Sequence, residues 1–167
     1  MQYLVAAVVL LALLCMANLL LTIGLIRRLR EQGPAMPDGL APGERMPGFA
    51  AMTTSGEPVS DELLGAPALV GFFSHGCKPC EDLLPHFVER ARRTSDGVLA
   101  VVAAGPGEDV TAHVERLAEV ALVVTEPTQG SLQRAFKVSA YPTVITIDAG
   151  HTVVTAGHTL PAEVEAP

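Results

Sequence analysis

The chain has no tryptophan and only two tyrosines among 167 residues, so it offers no aromatic platform for stacking nucleobases. Basic charge is also scarce. Arg27, Arg28 and Arg30 lie together, and from Glu31 onward only 8 basic residues face 18 acidic ones, a charge of −10. That balance disfavours nucleic acid and anionic lipid as partners of this part of the chain. There is no internal repeat and no low-complexity tract beyond one Gly/Pro-rich stretch. The length leaves room for one domain plus an appendage, not for two cores.

The N-terminus lacks charge of either sign. Tyr3 to Ile26 reads YLVAAVVLLALLCMANLLLTIGLI, broken only by Asn18, Thr22 and Gly24. As a helix these 24 residues would extend about 36 Å, enough to cross a hydrocarbon core of about 30 Å. The run is longer than a signal-peptide core, no basic segment precedes it, and no small-x-small cleavage site follows. Residues 1–30 are therefore expected to form an uncleaved single-pass anchor, with residues 3–26 in the bilayer and a basic flank behind them. Cys15 follows Ala12-Leu13-Leu14, without the small neighbour that lipoprotein processing needs, and reads as an apolar residue of the span. Arg27, Arg28 and Arg30 favour a cytoplasmic domain by the positive-inside tendency. The chemistry described next favours the opposite side.

Gly33 to Gly48 is half glycine and proline, and residues 31–48 read as a semi-extended spacer. Residues 49–167 form the folded domain. Phe49–Met52 and Val59–Ser60 suggest two short strands around the turn Ser55–Pro58, the second running into a helical turn at Asp61–Leu64. Strand and helix then alternate, the pattern of an α/β domain with a mostly parallel sheet. Strands are predicted over Ala68–Phe73, Val98–Ala103 and Ala121–Val124. Helices are predicted over Lys78–Thr94, Asp109–Leu117 and Leu132–Phe136. Leu83, Leu84, Phe87, Val88 and Ala91 share one face of the first helix. Pro142–Asp148 and Thr152–Thr155 close the domain as a hairpin turning at Ala149-Gly150-His151.

Cys77-Lys78-Pro79-Cys80 carries the chemistry. A lone Cys-x-x-Cys serves zinc sites and redox pairs alike, but here it stands between a buried strand and a long amphipathic helix. Cys77 then falls at a helix N-terminus, with Pro79 in the first turn, where its missing N–H costs nothing. Unpaired N–H groups and the positive end of the dipole lower the pKa of a thiol there, making Cys77 the attacking sulfur and Cys80 the resolving one. Lys78, Pro79 and His75 are candidate tuners of the pair. Pro142 stands directly before a strand whose middle would not tolerate it. A cis Tyr141–Pro142 bond would leave the Tyr141 backbone free to pair with an extended substrate. His86 lies more than one and a half helical turns from Cys80, so it reads as a surface residue, and His151 and His158 as loop residues.

Phe72-Phe73-Ser74-His75-Gly76-Cys77-Lys78-Pro79-Cys80, Leu84-Pro85, Ala140-Tyr141-Pro142-Thr143 and Asp148-Ala149-Gly150 together resemble the thioredoxin superfamily, and among its members the membrane-anchored TlpA, ResA and MauD-like redoxins. The resemblance runs from about Gly43 to Gly157. It implies a thioredoxin-like fold, a central mixed β-sheet flanked by helices, on the extracytoplasmic side of the membrane. It also implies a thiol–disulfide oxidoreductase that usually reduces disulfides during maturation of cytochrome c or other secreted proteins. Its partners would be protein thiols and disulfides and a membrane or extracytoplasmic electron donor, with no cofactor and no resident metal.

The chain departs from the family at several positions. Gly76 replaces the Trp that commonly precedes the first cysteine. Gly71 replaces a frequent buried acid, and Leu83 the Glu of some cytochrome-maturation members, so no carboxylate is evident to relay the proton of Cys80. His75 or water could serve instead. The chain ends at Pro167, short of the usual full final helix. The alternative reading is a copper metallochaperone resembling the Sco proteins, although those space their cysteines by three residues and use a distal histidine, for which only His151 or His158 is available. Peroxiredoxin activity lacks the threonine that would precede Cys77.

Overall fold

The computed structural model describes residues 1, 2, 5, 11, 14–16, 18–22, 39–94 and 97–160. The chain divides into two compact units, Met1–Met36 and Pro37–Pro167. In the first, residues 14–16 and 18–22 are helical, and the Thr22 hydroxyl donates to the Asn18 carbonyl at 2.8 Å. Among the described residues no helix is long and apolar enough to cross a membrane. Much of the predicted span, its arginine flank, the first part of the spacer and the last seven residues lie outside the described residues.

In the second unit, β1 (Ala50–Met52) and β2 (Pro58–Ser60) pair antiparallel, with Ala50 opposite Ser60. Ser60 caps the short helix α1 (Asp61–Leu64), its hydroxyl accepting the Leu63 N–H at 3.2 Å. The main sheet is built on β3 (Ala68–Ser74) and β4 (Val98–Ala103), whose apolar runs fit burial on both faces. With β5 (Leu122–Glu126) they form three parallel strands, linked by crossovers through α2 (Lys78–Arg93) and α3 (Thr111–Ala118). After α4 (Ser131–Ala135), β6 (Thr143–Ile147) and β7 (Val153–Gly157) add an antiparallel hairpin on the other side of β3, in the order β5-β4-β3-β6-β7. The sheet is thus mixed.

Alternation along β3 sorts the core into two layers. Val70 and Phe72 face Leu99, Val101, Ile145 and Phe136 on one side, whereas Leu69 and Phe73 face Leu84, Phe87, Ala100 and Val102 on the other. On α2, Cys80, Leu84, Phe87 and Ala91 are buried and Leu83 and Val88 are half-buried beside them. Helix α3 begins two residues later than the sequence suggests. Asp109 stands outside it, and its carboxylate accepts the Thr111 N–H at 3.0 Å. Hydrogen bonds from Thr111, with a smaller contribution from His75, hold the Asp109 carboxyl below its ordinary range.

Residues 39–48 form no helix or strand, in keeping with their composition, but they pack on the domain. Leu40 and Met46 are buried, the Gly43 N–H donates to the Val153 carbonyl at 2.8 Å, and Lys137 pairs with Glu44 at 2.8 Å. The Lys137 hydrogen bond is the main reason the Glu44 carboxyl lies below its ordinary range.

The turn into β4 requires glycine. Gly97 has φ of +66°, and a Cβ there would stand 2.7 Å from the Pro67 carbonyl oxygen and 2.9 Å from that of Leu64. Both are backbone atoms and cannot swing away. Gly97→Ala is expected to destabilise the domain by about 1–3 kcal/mol, read as a lower midpoint in urea unfolding.

Candidate active site

The site forms where β3 ends. Ser74 is the last strand residue, the His75 N–H donates to the Ala103 carbonyl at 3.2 Å, and Gly76 turns the chain at φ of +66°. Cys77 is then the N-cap of α2. Its carbonyl accepts the Cys80 and Glu81 N–H groups at 3.0 and 3.1 Å, and its Sγ accepts the Cys80 N–H at 3.2 Å. Negative charge on that sulfur would be stabilised by this N–H and by the positive end of the helix dipole. The N–H that Pro79 lacks is one that the first turn leaves unpaired in any case.

Cys77 and Cys80 are joined as a disulfide, with Cα atoms 5.2 Å apart. They are unequally accessible: Cys77 is partly exposed, whereas Cys80 is wholly buried among Leu84, Phe87 and Val144. Lys78 and Pro79 are exposed. The Lys78 ammonium donates to Asp82 at 2.6 Å, one turn along the helix, and this bond is the first cause of its raised pKa.

Antiparallel pairing of β6 with β3 supplies the opposite wall. Thr143 lies across from Phe72, so the residues before it stand beside the chain leaving β3. The Tyr141–Pro142 peptide is cis, as the sequence suggests, Pro142 is buried, and the Tyr141 carbonyl oxygen lies 3.7 Å from Cys77 Sγ. Once the disulfide is reduced, a Cys77 thiol at this distance can donate to that carbonyl.

At the two positions where the resemblance would place a carboxylate, Gly71 and Leu83, the structure gives none room or charge. A Cβ on Gly71 would fall 2.6 Å from Phe87 Cε2, so the ring of Phe87, packed edge-on against Phe73 at 5.1 Å, fills the space a side chain would need. Leu83 is apolar and half-buried. His75 is exposed, its ring 6.2 Å from that of His113 on α3. His158 places Nδ1 2.7 Å from the Pro142 carbonyl oxygen. His113 and His158 approach the site only through the fold and carry no motif. Gln133, buried and bonded to the Tyr141 hydroxyl, was equally hidden; an amide between Leu132 and Phe136 was its one signal.

His86 is exposed and lines a cleft of about 460 Å³ with Leu83, Arg90, Thr159 and Leu160, to which neither cysteine contributes. His151 occupies the turn between β6 and β7 at φ of +61°. Among the described residues no group of three or more His, Cys, Asp or Glu side chains is placed to hold a metal ion.

No protein-family model matches the chain, and no curated protein matches it. Solved structures do. A thiol:disulfide interchange protein of the thioredoxin family from Chlorobium tepidum is 24% identical, with a TM-score of 0.56 over 74% of this chain and 90% of that one. The exposed lipoprotein thioredoxin of Streptococcus pneumoniae is 25% identical, with a TM-score of 0.52 over 69% of this chain and 91% of that one. A secreted disulfide oxidoreductase of Mycobacterium tuberculosis is 21% identical, with a TM-score of 0.51 over 70% of this chain and 87% of that one. Over its described residues between 39 and 160 the chain has the fold of the thioredoxin superfamily, a central mixed sheet flanked by helices, with its Cys-x-x-Cys pair at the end of β3.

Proposed function

We propose that this chain is a membrane-anchored thiol–disulfide oxidoreductase that exchanges disulfides with protein substrates through Cys77 and Cys80, as a reductase on the extracytoplasmic side. The observation that carries the reading is the asymmetry of the pair. Cys77 is reachable, caps α2 and faces the Tyr141 carbonyl, while Cys80 is buried one turn behind it. A Cys77 thiolate attacks a substrate disulfide, forming a mixed disulfide and releasing one substrate thiolate. Cys80, having lost its proton, then attacks Cys77 Sγ, which closes the Cys77–Cys80 disulfide and releases the second substrate thiolate. Two electrons pass to the substrate, its two thiolates take up the proton lost by Cys80 and one from water, and a dithiol donor returns the pair to its reduced state.

Residues 3–26 anchor the chain in the bilayer, as their length and lack of charge support. The exposed and secreted locations of two structural neighbours support an extracytoplasmic domain, against the pull of Arg27, Arg28 and Arg30. Tyr141 and Pro142 bind the substrate backbone, and Lys78, Pro79 and His75 adjust the potential of the pair.

Partner capture tests this reading. Full-length chain carrying Cys80→Ser, expressed in cells, is expected to accumulate adducts with extracytoplasmic proteins that are released by dithiothreitol and absent when Cys77 is also replaced. Adducts that survive loss of Cys77 would sink the proposal.

A further inference from the structure

We propose that Gln133 is a positioning residue for substrate disulfides, holding the Tyr141 ring so that the main chain of Tyr141 meets an extended substrate in one orientation; this rests on the oxidoreductase reading above. Gln133 is 1% exposed and polar, so every bond its amide can make bears on its cost. Its Nε2 donates to the Pro127 carbonyl at 3.1 Å, which identifies the other amide atom as oxygen. That Oε1 accepts the Gln129 N–H at 2.8 Å and the hydroxyl of Tyr141.

Gln133 is itself fixed. The Glu126 carboxylate at the end of β5 accepts the N–H groups of Leu132 and Gln133 at 3.0 and 2.9 Å, holding the first turn of α4. A continuous path therefore runs from the edge of the sheet through Glu126 and Gln133 to the Tyr141 ring. Tyr141 packs against both layers of the core, and its main-chain carbonyl oxygen lies 3.7 Å from Cys77 Sγ.

The consequence concerns extended substrates. A tyrosine ring tethered at its hydroxyl is not free to turn outward, so the Tyr141 main chain is presented to an extended peptide in one orientation. A small disulfide makes no main-chain bonds and does not sense that orientation. Loss of the Gln133 acceptor should therefore weaken binding of protein disulfides and leave the reactivity of Cys77 alone.

The test compares insulin with dithiodipyridine as oxidants of the reduced full-length chain. For Gln133→Met, which keeps the volume and removes the acceptor, KM for insulin is expected to rise roughly threefold to tenfold, the range of one neutral hydrogen bond. Its kcat, and its rate with dithiodipyridine, should stay within about twofold of the parent, since neither depends on a bond to the Tyr141 hydroxyl. In a Tyr141→Phe background Gln133→Met should raise KM no further. If Gln133→Met fails to fold, Tyr141→Phe alone should show the same rise in KM.

An unchanged KM in Gln133→Met or Tyr141→Phe, additivity of the two, or a parallel fall with both oxidants would overturn the positioning role while leaving the enzyme reading intact. A parent chain inert toward both oxidants would overturn the enzyme reading and this inference together.

Discussion

Cys77→Ser is expected to bring insulin reduction by the full-length chain down to the uncatalysed background, while Cys80→Ser should react once per chain and stop. The two cysteines fail differently because they sit differently. Cys77 is the partly exposed N-cap of α2, with an N–H on its sulfur. A serine hydroxyl there caps the helix at least as well, so the fold should persist without its nucleophile. Cys80 is wholly buried behind it and cannot meet a substrate disulfide directly. With Cys80 replaced, Cys77 still attacks, but among the described residues beside it no thiol is left to displace the mixed disulfide. Thiol release with time, measured beside non-reducing gel analysis of adducts, separates the two. Turnover by both variants at the parent rate would remove Cys77 and Cys80 from the mechanism.

What the sequence disclosed about this site depends on how each residue reaches it. The positions of Cys77 and Cys80 were legible because one local arrangement, a buried strand, a Cys-x-x-Cys and an amphipathic helix, specifies them. Tyr141-Pro142 was legible because proline before a strand restricts the local backbone. The two short strands, the parallel core and the closing hairpin followed from periodicity and turn residues, and most boundaries fell within two residues of those in the structure.

Residues brought in by tertiary contact left little trace. Gln133 reaches Tyr141 only through the fold of the irregular connection between α4 and β6, and His158 reaches Pro142 only through the end of β7. The spacer misled in a related way. Glycine and proline do prevent a regular element at residues 39–48, but composition does not reveal that Leu40 and Met46 have a core to enter. The anchor remains a reading of sequence, since most of it lies outside the described residues.

Gly71→Ala is expected to destabilise the domain by about 1–3 kcal/mol even though glycine has no conformational task there. Gly71 lies within β3, pairing with both Ala100 and Val144, and does not have a positive φ. Its value is the space it leaves. The added methyl would lie 2.6 Å from Phe87 Cε2 and 2.8 Å from Phe73 Cε2, and both rings are held in a wholly buried edge-to-face pair. Gly71→Asp should cost more, because it combines that overlap with a carboxylate set against the wholly buried rings of Phe87 and Phe73. Phe87→Ala, which empties the same space, should cost about 3–5 kcal/mol, a large share of the roughly 5–15 kcal/mol that holds an ordinary domain together. A double-mutant cycle in urea distinguishes crowding from any other effect of the glycine. In a Phe87→Leu background Gly71→Ala should cost less than in the parent, with a coupling of about 0.5–3 kcal/mol. Equal costs in both backgrounds would show that Phe87 does not occupy the place of the missing acid. The coupled result would mean that Phe87 has taken that place, so that no side chain at position 71 is there to receive the proton of Cys80.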